Sequence, residues 1–263
     1  MIGLTLQGRL ANHWFEYAFL RTVAEHHGYA YTIVESKEPN MELDYHQWYS
    51  EDIFSMSVPV IPKRPFLYNY YDVNGSYLTT TVLRQNYAEF KDETLFRGPF
   101  QGRDVIERIR TDWFPVIQPK TPFEYDVDDC CVIHFRGADY VNRMVWRPIC
   151  GLLKDIGLYY EEAKQRLDAL AGKQLKTIVV TDDIPNARLY VNADEYVCQS
   201  VATDFFLMYQ AKYLVIPNST FSWWAGFLSP NLCICVAPSG WLYYKHGEKI
   251  HTDWCYTDKF MWI

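Results

Sequence analysis

VIHFRGADYV, residues 132–141, begins as a buried strand and then turns polar within six positions. Val132, Ile133 and Phe135 read as strand interior, whereas His134, Arg136 and Asp139 gather where that strand would pass into its loop. Side chains at such a junction face a ligand more often than a core.

Outward from this strand the pattern alternates. CCVIHF reads as a strand, LYYEEAKQRLDALAG as an amphipathic helix ending at Gly172, and LKTIVVTDD as the next strand. EYVCQS follows, then helix TDFFLMYQAK, strand YLVIP, helix TFSWWAGFLS and strand CICVAP. Strands alternating with helices imply a parallel sheet, and ligands of such sheets sit beyond the carboxyl ends of the strands. The loops RGAD, TDD and PNSTFS, after residues 135, 181 and 216, should therefore converge on one crevice.

The amino-terminal segment has the same grammar. IGLTL is a short apolar run, Leu10, Trp14, Tyr17, Ala18, Arg21 and Ala24 recur at helical spacing before Gly28, and YAYTIV resumes as a strand. Gly8 lies in the turn between strand and helix, where backbone must approach something closely. Residues 36–125, dense in tyrosine and phenylalanine and punctuated by prolines, carry a weaker pattern. QPKTPFEYDVDD, residues 118–129, is the best candidate linker, which gives an amino-terminal lobe over 1–125 and a carboxyl-terminal Rossmann-like lobe over 126–263.

Composition sets the outer limits. A chain of 263 residues, 49% hydrophobic, is long enough for a sizeable core. A net charge of −7 without blocks of like charge argues against a nucleic-acid footprint or a polybasic membrane patch. The seven cysteines show no metal spacing and are expected to be buried thiols. No apolar run reaches the roughly 18 residues of a membrane helix, and the expectation is a cytoplasmic protein in which the sequons at Asn74 and Asn218 go unread.

The three loops suit a pyrophosphate. Arg136 offers a planar fork for two phosphate oxygens, and NST opens a helix whose unpaired N–H groups suit an anion, with hydroxyls from Ser219, Thr220 and Ser222. The alternative is that Ser219 or Thr220 is only a helix cap and Arg136 only an ion-pair partner of Asp139. TDD would suit a ribose or a hard cation, but Asp183 before Ile184-Pro185 is equally a helix cap. No second acidic cluster supports a metal.

Several of these stretches together resemble the α-1,2-fucosyltransferase family. HFRGADYV is similar to its H-x-R-R-G-D-Y-V motif, and GRLANHWFEYA to its G-G-L-G-N-Q-M-F-Q-Y-A, sharing Gly8, Leu10, Asn12, Phe15, Tyr17 and Ala18. VTDD, the Y-Y-x-x-A helix at residues 159–163, and DFFLMYQAKYLVIPNSTFSWWAGFL match further motifs in the same chain order. Two positions depart: the family's second arginine is Gly137 and its glycine is Ala138.

The resemblance implies a GT-B-like, two-lobed α/β glycosyltransferase that inverts configuration as it moves fucose from GDP-fucose to an acceptor glycan, such as a galactoside. It implies no metal or other cofactor. Arg136 would hold the donor pyrophosphate, His134 would lie near the nucleotide, and Asn218, Ser219, Thr220 and Ser222 would form the opposite side of the phosphate site. Gly8, Asn12 and Asp183 join the donor-binding set through their motifs. Asp139 is the first candidate for the base, with Glu16 and His13 as alternatives, and Trp223 and Trp224 are expected to fill core. Two other readings stay open: a different nucleotide sugar, or an inactive glycan-binding relative in which the aromatics, 17% of residues, stack on sugar rings.

Overall fold

The computed structural model describes residues 1–34, 53–55, 58–72, 86–116, 125–137, 156–239, 241–243, 249–250 and 254–263. Asp139, Ala138 and Asn74 lie outside the described residues. The chain divides into two compact units, one of Met1–Ile117 with Asp253–Tyr256 and one of Gln118–Thr252 with Thr257–Ile263.

In the first unit, β1 (Ile2–Thr5), α1 (Leu10–His27) and β2 (Tyr31–Val34) realise the expected opening. The helix ends where Gly28 takes φ 70 and its N–H bonds the Ala24 carbonyl, a left-handed cap that favours glycine. β3 (Val60–Ile61), β4 (Tyr68–Tyr71) and β5 (Thr94–Arg97) complete a five-stranded sheet, and α2 (Arg103–Ile106) follows. The order is β3-β2-β1-β5-β4, with every pairing parallel. Ile2, Leu4, Leu20 and Val23 pack with an aromatic cluster in which Phe19 stacks on Phe100 at 3.8 Å between centroids.

The second unit holds β6 (Cys130–Phe135), α3 (Ile156–Ala171), β7 (Lys176–Thr181), α4 (Ile184–Tyr190), β8 (Glu195–Val197), α5 (Val201–Gln210), β9 (Tyr213–Val215), α6 (Thr220–Leu228) and β10 (Ile234–Ala237). β11 (Leu242–Tyr243) and β12 (Lys249–Ile250) form an antiparallel pair, and β13 (Met261–Trp262) closes the main sheet. All six residues of β6 are buried, because the strand lies between neighbours and is covered on both faces. Ile156, Tyr160, Ala163 and Leu167 form the buried stripe of α3, and Trp223 and Trp224 are fully buried, as expected of core aromatics.

The sheet order β13-β10-β9-β6-β7-β8 positions the site. From β6 the chain winds outward through β7 and β8, then returns to the other side of β6 with β9 and continues to β10 and β13. This places the switch point between β6 and β9, and the crevice of a doubly wound sheet opens beyond the carboxyl ends of those two strands. In the first unit the equivalent switch lies between β1 and β5. The expected α/β class with Rossmann-like parallel sheets is the one found.

Four of the six cysteines among the described residues are buried thiols, but Cys198 and Cys233 are exposed, the first just beyond the end of β8 and the second just before β10. Among the described residues no helix is long and apolar enough to cross a membrane.

Candidate donor site at the β6–β9 switch

β6 ends in a polar group that is buried and bonded. His134 is 7% exposed, and its Nδ1 lies 2.8 Å from Ser222 Oγ on α6. The Ser222 hydroxyl donates to the Ser219 carbonyl at 3.3 Å, so its oxygen is left to accept the proton of Nδ1. Burial, with the Arg136 guanidinium as the second cause, holds the imidazole down to about 3. His134 is therefore neutral at ordinary pH and pins the amino end of α6 to the end of β6. Tyr160 donates to the His134 carbonyl at 3.0 Å, and Tyr159 to the Ile216 carbonyl at 2.6 Å. The paired tyrosines of α3 thus fix the carboxyl-end backbone of both strands that flank the switch.

Arg136 and Gly137 come directly after this pinned strand end. Gly137 N donates to Asp182 Oδ1 at 2.7 Å, which joins the loops after β6 and β7. Asp183 is the cap of α4: Oδ1 accepts from Asn186 N at 3.1 Å and Oδ2 from Asn186 Nδ2 at 2.6 Å. Of the two roles open to Asp183 in the sequence, capping is the one its carboxylate performs here.

The segment after β9 is more telling. Ser219 stands at the cap position of α6, yet it makes no side-chain cap bond. It is 1% exposed, and its hydroxyl has no hydrogen-bond partner among the described residues. A buried hydroxyl without a partner costs on the order of 1–3 kcal/mol, which a ligand oxygen would recover. The amino end of a nine-residue helix adds N–H donors and a positive dipole end. Asn218 is buried and anchors the turn by donating from Nδ2 to the Trp241 carbonyl at 3.0 Å, and Thr220 is half-buried in the first turn.

Gly8 and Asn12 belong to the first unit, at its own switch. Gly8 has φ 73, and a Cβ there would run into Asn12 Nδ2. Gln101, in the loop after β5, donates from Nε2 to Asn12 Oδ1 at 3.0 Å. Glu16, fully buried, accepts the Gln7 amide at 3.1 Å on both oxygens, and burial pushes its carboxyl well above the usual range. It is a strut of the β1–α1 turn. His13 is 3% exposed, and burial pushes it down to about 4 against an opposing interaction with the Gly8 backbone; neither ring nitrogen has a hydrogen bond of good geometry among the described residues.

Asp204, in the first turn of α5, escaped the sequence reading. Burial raises its carboxyl to about 6, Asp182 adds to the rise, and the Gln199 amide bonded to it opposes. Asp204 opens the DFFLMYQAK stretch that matches a family motif, but sequence alone gives the residue no role of its own, because a first-turn acid is also an ordinary helix feature. Among the described residues no group of three or more His, Cys, Asp or Glu is arranged to hold a metal ion.

Comparison with known proteins bears on the fold and the family. The α/β fold resembles that of fucosyltransferase NodZ from Bradyrhizobium, with a TM-score of 0.52 at 11% identity over 87% of this chain and 93% of that one. The O-antigen biosynthesis glycosyltransferase WbnK of Escherichia coli is 31% identical over 129 residues, 46% of this chain and 42% of WbnK. An alpha-1,2-colitosyltransferase of Escherichia coli is 32% identical over 118 residues, 41% of this chain and 40% of that protein. The matches span about two fifths of the length of these curated relatives. The family model for glycosyl transferase family 11 matches residues 1–258, nearly the whole chain, and on that match the protein belongs to glycosyl transferase family 11.

Proposed function

We propose that the protein is an inverting glycosyltransferase that moves fucose from GDP-fucose to a hydroxyl of an acceptor glycan, in α-1,2 linkage to a galactoside-type sugar. The observation that carries the reading is Ser219: a buried hydroxyl without a partner among the described residues, at the amino end of α6, beside the strand end that bears Arg136. That arrangement suits a diphosphate.

As the acceptor oxygen attacks the anomeric carbon from the face opposite GDP, negative charge grows on the leaving phosphate. Arg136 and the amino end of α6 stabilise that charge, which is why the reading includes no metal. Asn218, Ser219, Thr220 and Ser222 shape the same wall, neutral His134 holds it against β6, and Asp183 supports it from α4. Gly8 and Asn12 are read as donor-binding residues through their motif in the first unit. Asp139, three residues beyond Arg136, takes the acceptor proton; Asp139→Asn should lower the rate and flatten the acid limb of its pH profile, where the base would be protonated, and an unchanged rate and profile would remove it from the mechanism. The first unit is read as the acceptor side, and the whole as a cytoplasmic enzyme.

Calorimetric titration with GDP and GDP-fucose, with and without magnesium, tests the donor site. Metal-independent binding abolished in Arg136→Ala is expected; absence of any nucleotide binding refutes the proposal. One relative is named for transferring colitose, which favours a second reading with another sugar on the donor. A panel of nucleotide sugars in a transfer assay separates the two.

A further inference from the structure

Arg136 is held from both sides. Before it, the His134 carbonyl accepts from Tyr160, and Phe135, fully buried, pairs with Thr181 and stacks on Tyr190. After it, the Gly137 amide is taken by the Asp182 carboxylate at 2.7 Å. A hydrogen bond to an ionised acceptor is about twice as strong as a neutral one, and this one spans two loops 45 residues apart.

The glycine is what permits that approach. A Cβ at Gly137 would lie 2.5 Å from Asp183 Cβ, 3.2 Å from Asp183 Cγ and 3.1 Å from Phe135 Cε1. Asp183 cannot withdraw cheaply, because its carboxylate caps α4 through Asn186 and its own amide donates to Thr181 Oγ1 at 2.9 Å. Any side chain at 137 must therefore break the cap or push the RG turn off Asp182.

We propose that Asp182 is a positioning residue for Arg136, acting through the Gly137 amide, and that Gly137 and the TDD loop form a matched pair that commits the site to one arginine. The inference rests on the donor-site reading above. A guanidinium whose main chain is fixed on both sides needs less ordering when the diphosphate arrives. Asp182 contributes geometry, since its negative charge by itself would oppose an anionic donor. Gly137 is accordingly a steric requirement rather than a lost contact, and an arginine at 137 would have no room for its first carbon.

The test is titration with GDP and GDP-fucose of the parent, Arg136→Ala, Asp182→Ala, Asp182→Asn, Gly137→Ala and Gly137→Arg, with donor and acceptor KM measured separately and thermal midpoints recorded. Asp182→Ala should weaken donor binding by about tenfold, the scale of one such hydrogen bond, and leave acceptor KM unchanged. Asp182→Asn, which keeps an acceptor oxygen, should stay within about threefold of the parent. Gly137→Arg should bind donor more weakly than the parent despite its added cation.

Unchanged or tighter donor binding in Asp182→Ala, or a gain in Gly137→Arg, overturns the inference. If Asp182→Ala does not fold, Gly137→Ala decides: parent-like donor affinity there overturns it as well. A parent that binds no nucleotide defeats the donor-site reading and this inference together, whereas a parent that binds and loses binding in Arg136→Ala isolates the inference.

Discussion

The two sheets reach their switch points with similar parts and opposite bookkeeping of buried polar groups. Each has a loop beyond a central strand, a helix amino end and a buried neutral histidine: His134 in the second unit, His13 in the first. His134 is bonded to Ser222 and lies on a strand end fixed by Tyr160, and nearby the Ser219 hydroxyl at a helix start has no partner among the described residues. In the first unit the histidine has no hydrogen bond of good geometry among the described residues, only a weaker interaction with the Gly8 backbone, while the acid Glu16 bonds the turn. The lesson is that the β6–β9 switch is braced and leaves donor groups for an anion. The β1–β5 switch carries amides and a neutral imidazole, groups suited to uncharged hydroxyls.

The largest expected effect removes the cation that this contrast turns on. Arg136→Ala should lower turnover a hundredfold or more, about 2.7–4 kcal/mol by analogy with loss of one oxyanion donor. Near-parental turnover would erase the distinction between the two switches.

Acid stability comes next. The folded-state value of His13 lies near 4, below its unfolded value of 6.5, so its contribution is present above pH 6.5 and is lost as pH falls towards 4. His13→Gln should remove on the order of 3 kcal/mol of acid sensitivity across that window, read by urea unfolding at pH 7 and pH 4. An identical pH slope in the variant would show that the His13 ring is solvated and that the contrast with His134 is overdrawn.

Ser222→Ala leaves His134 Nδ1 buried without its partner and should cost about 1–3 kcal/mol by the same unfolding measurement. A loss no larger than that of an exposed serine would mean that α6 is not pinned to β6.

The smallest effect belongs to Asp204. Its carboxyl titrates near 6 in the folded chain and near 3.8 when unfolded, so the folded state holds the proton longer and loses stability as pH rises from 3.8 through 6. Asp204→Asn should raise the thermal midpoint modestly at pH 7.5 and leave it unchanged at pH 3.5. A lower midpoint at pH 7.5 would show that the ionised carboxylate is favourably paired.

Much of the second unit was legible. Six-residue β6 reads as a buried strand because both its faces are covered, so its apolar run has no polar alternation to obscure it. The helices α3 and α6 announced themselves by period and by Gly172 or NST. The first unit beyond residue 36 was not: β3 and β4 are two and four residues long, with exposed side chains that give no period to detect. Asp183 was left between two roles because a cap and a ribose contact ask for the same residue type.

By itself the sequence determined the chemistry on offer: a lone arginine after a buried strand, hydroxyls opening a helix, acids ending the next strand. These are local, carried by residue type and spacing over a few positions. Only the tertiary structure decided which of them meet. That β9 returns beside β6, that Ser222 holds His134, and that Gly137 has room for its amide bond to Asp182 but none for a side chain all depend on contacts between residues 45 to 88 positions apart. No local propensity encodes such distances, because packing of whole elements sets them.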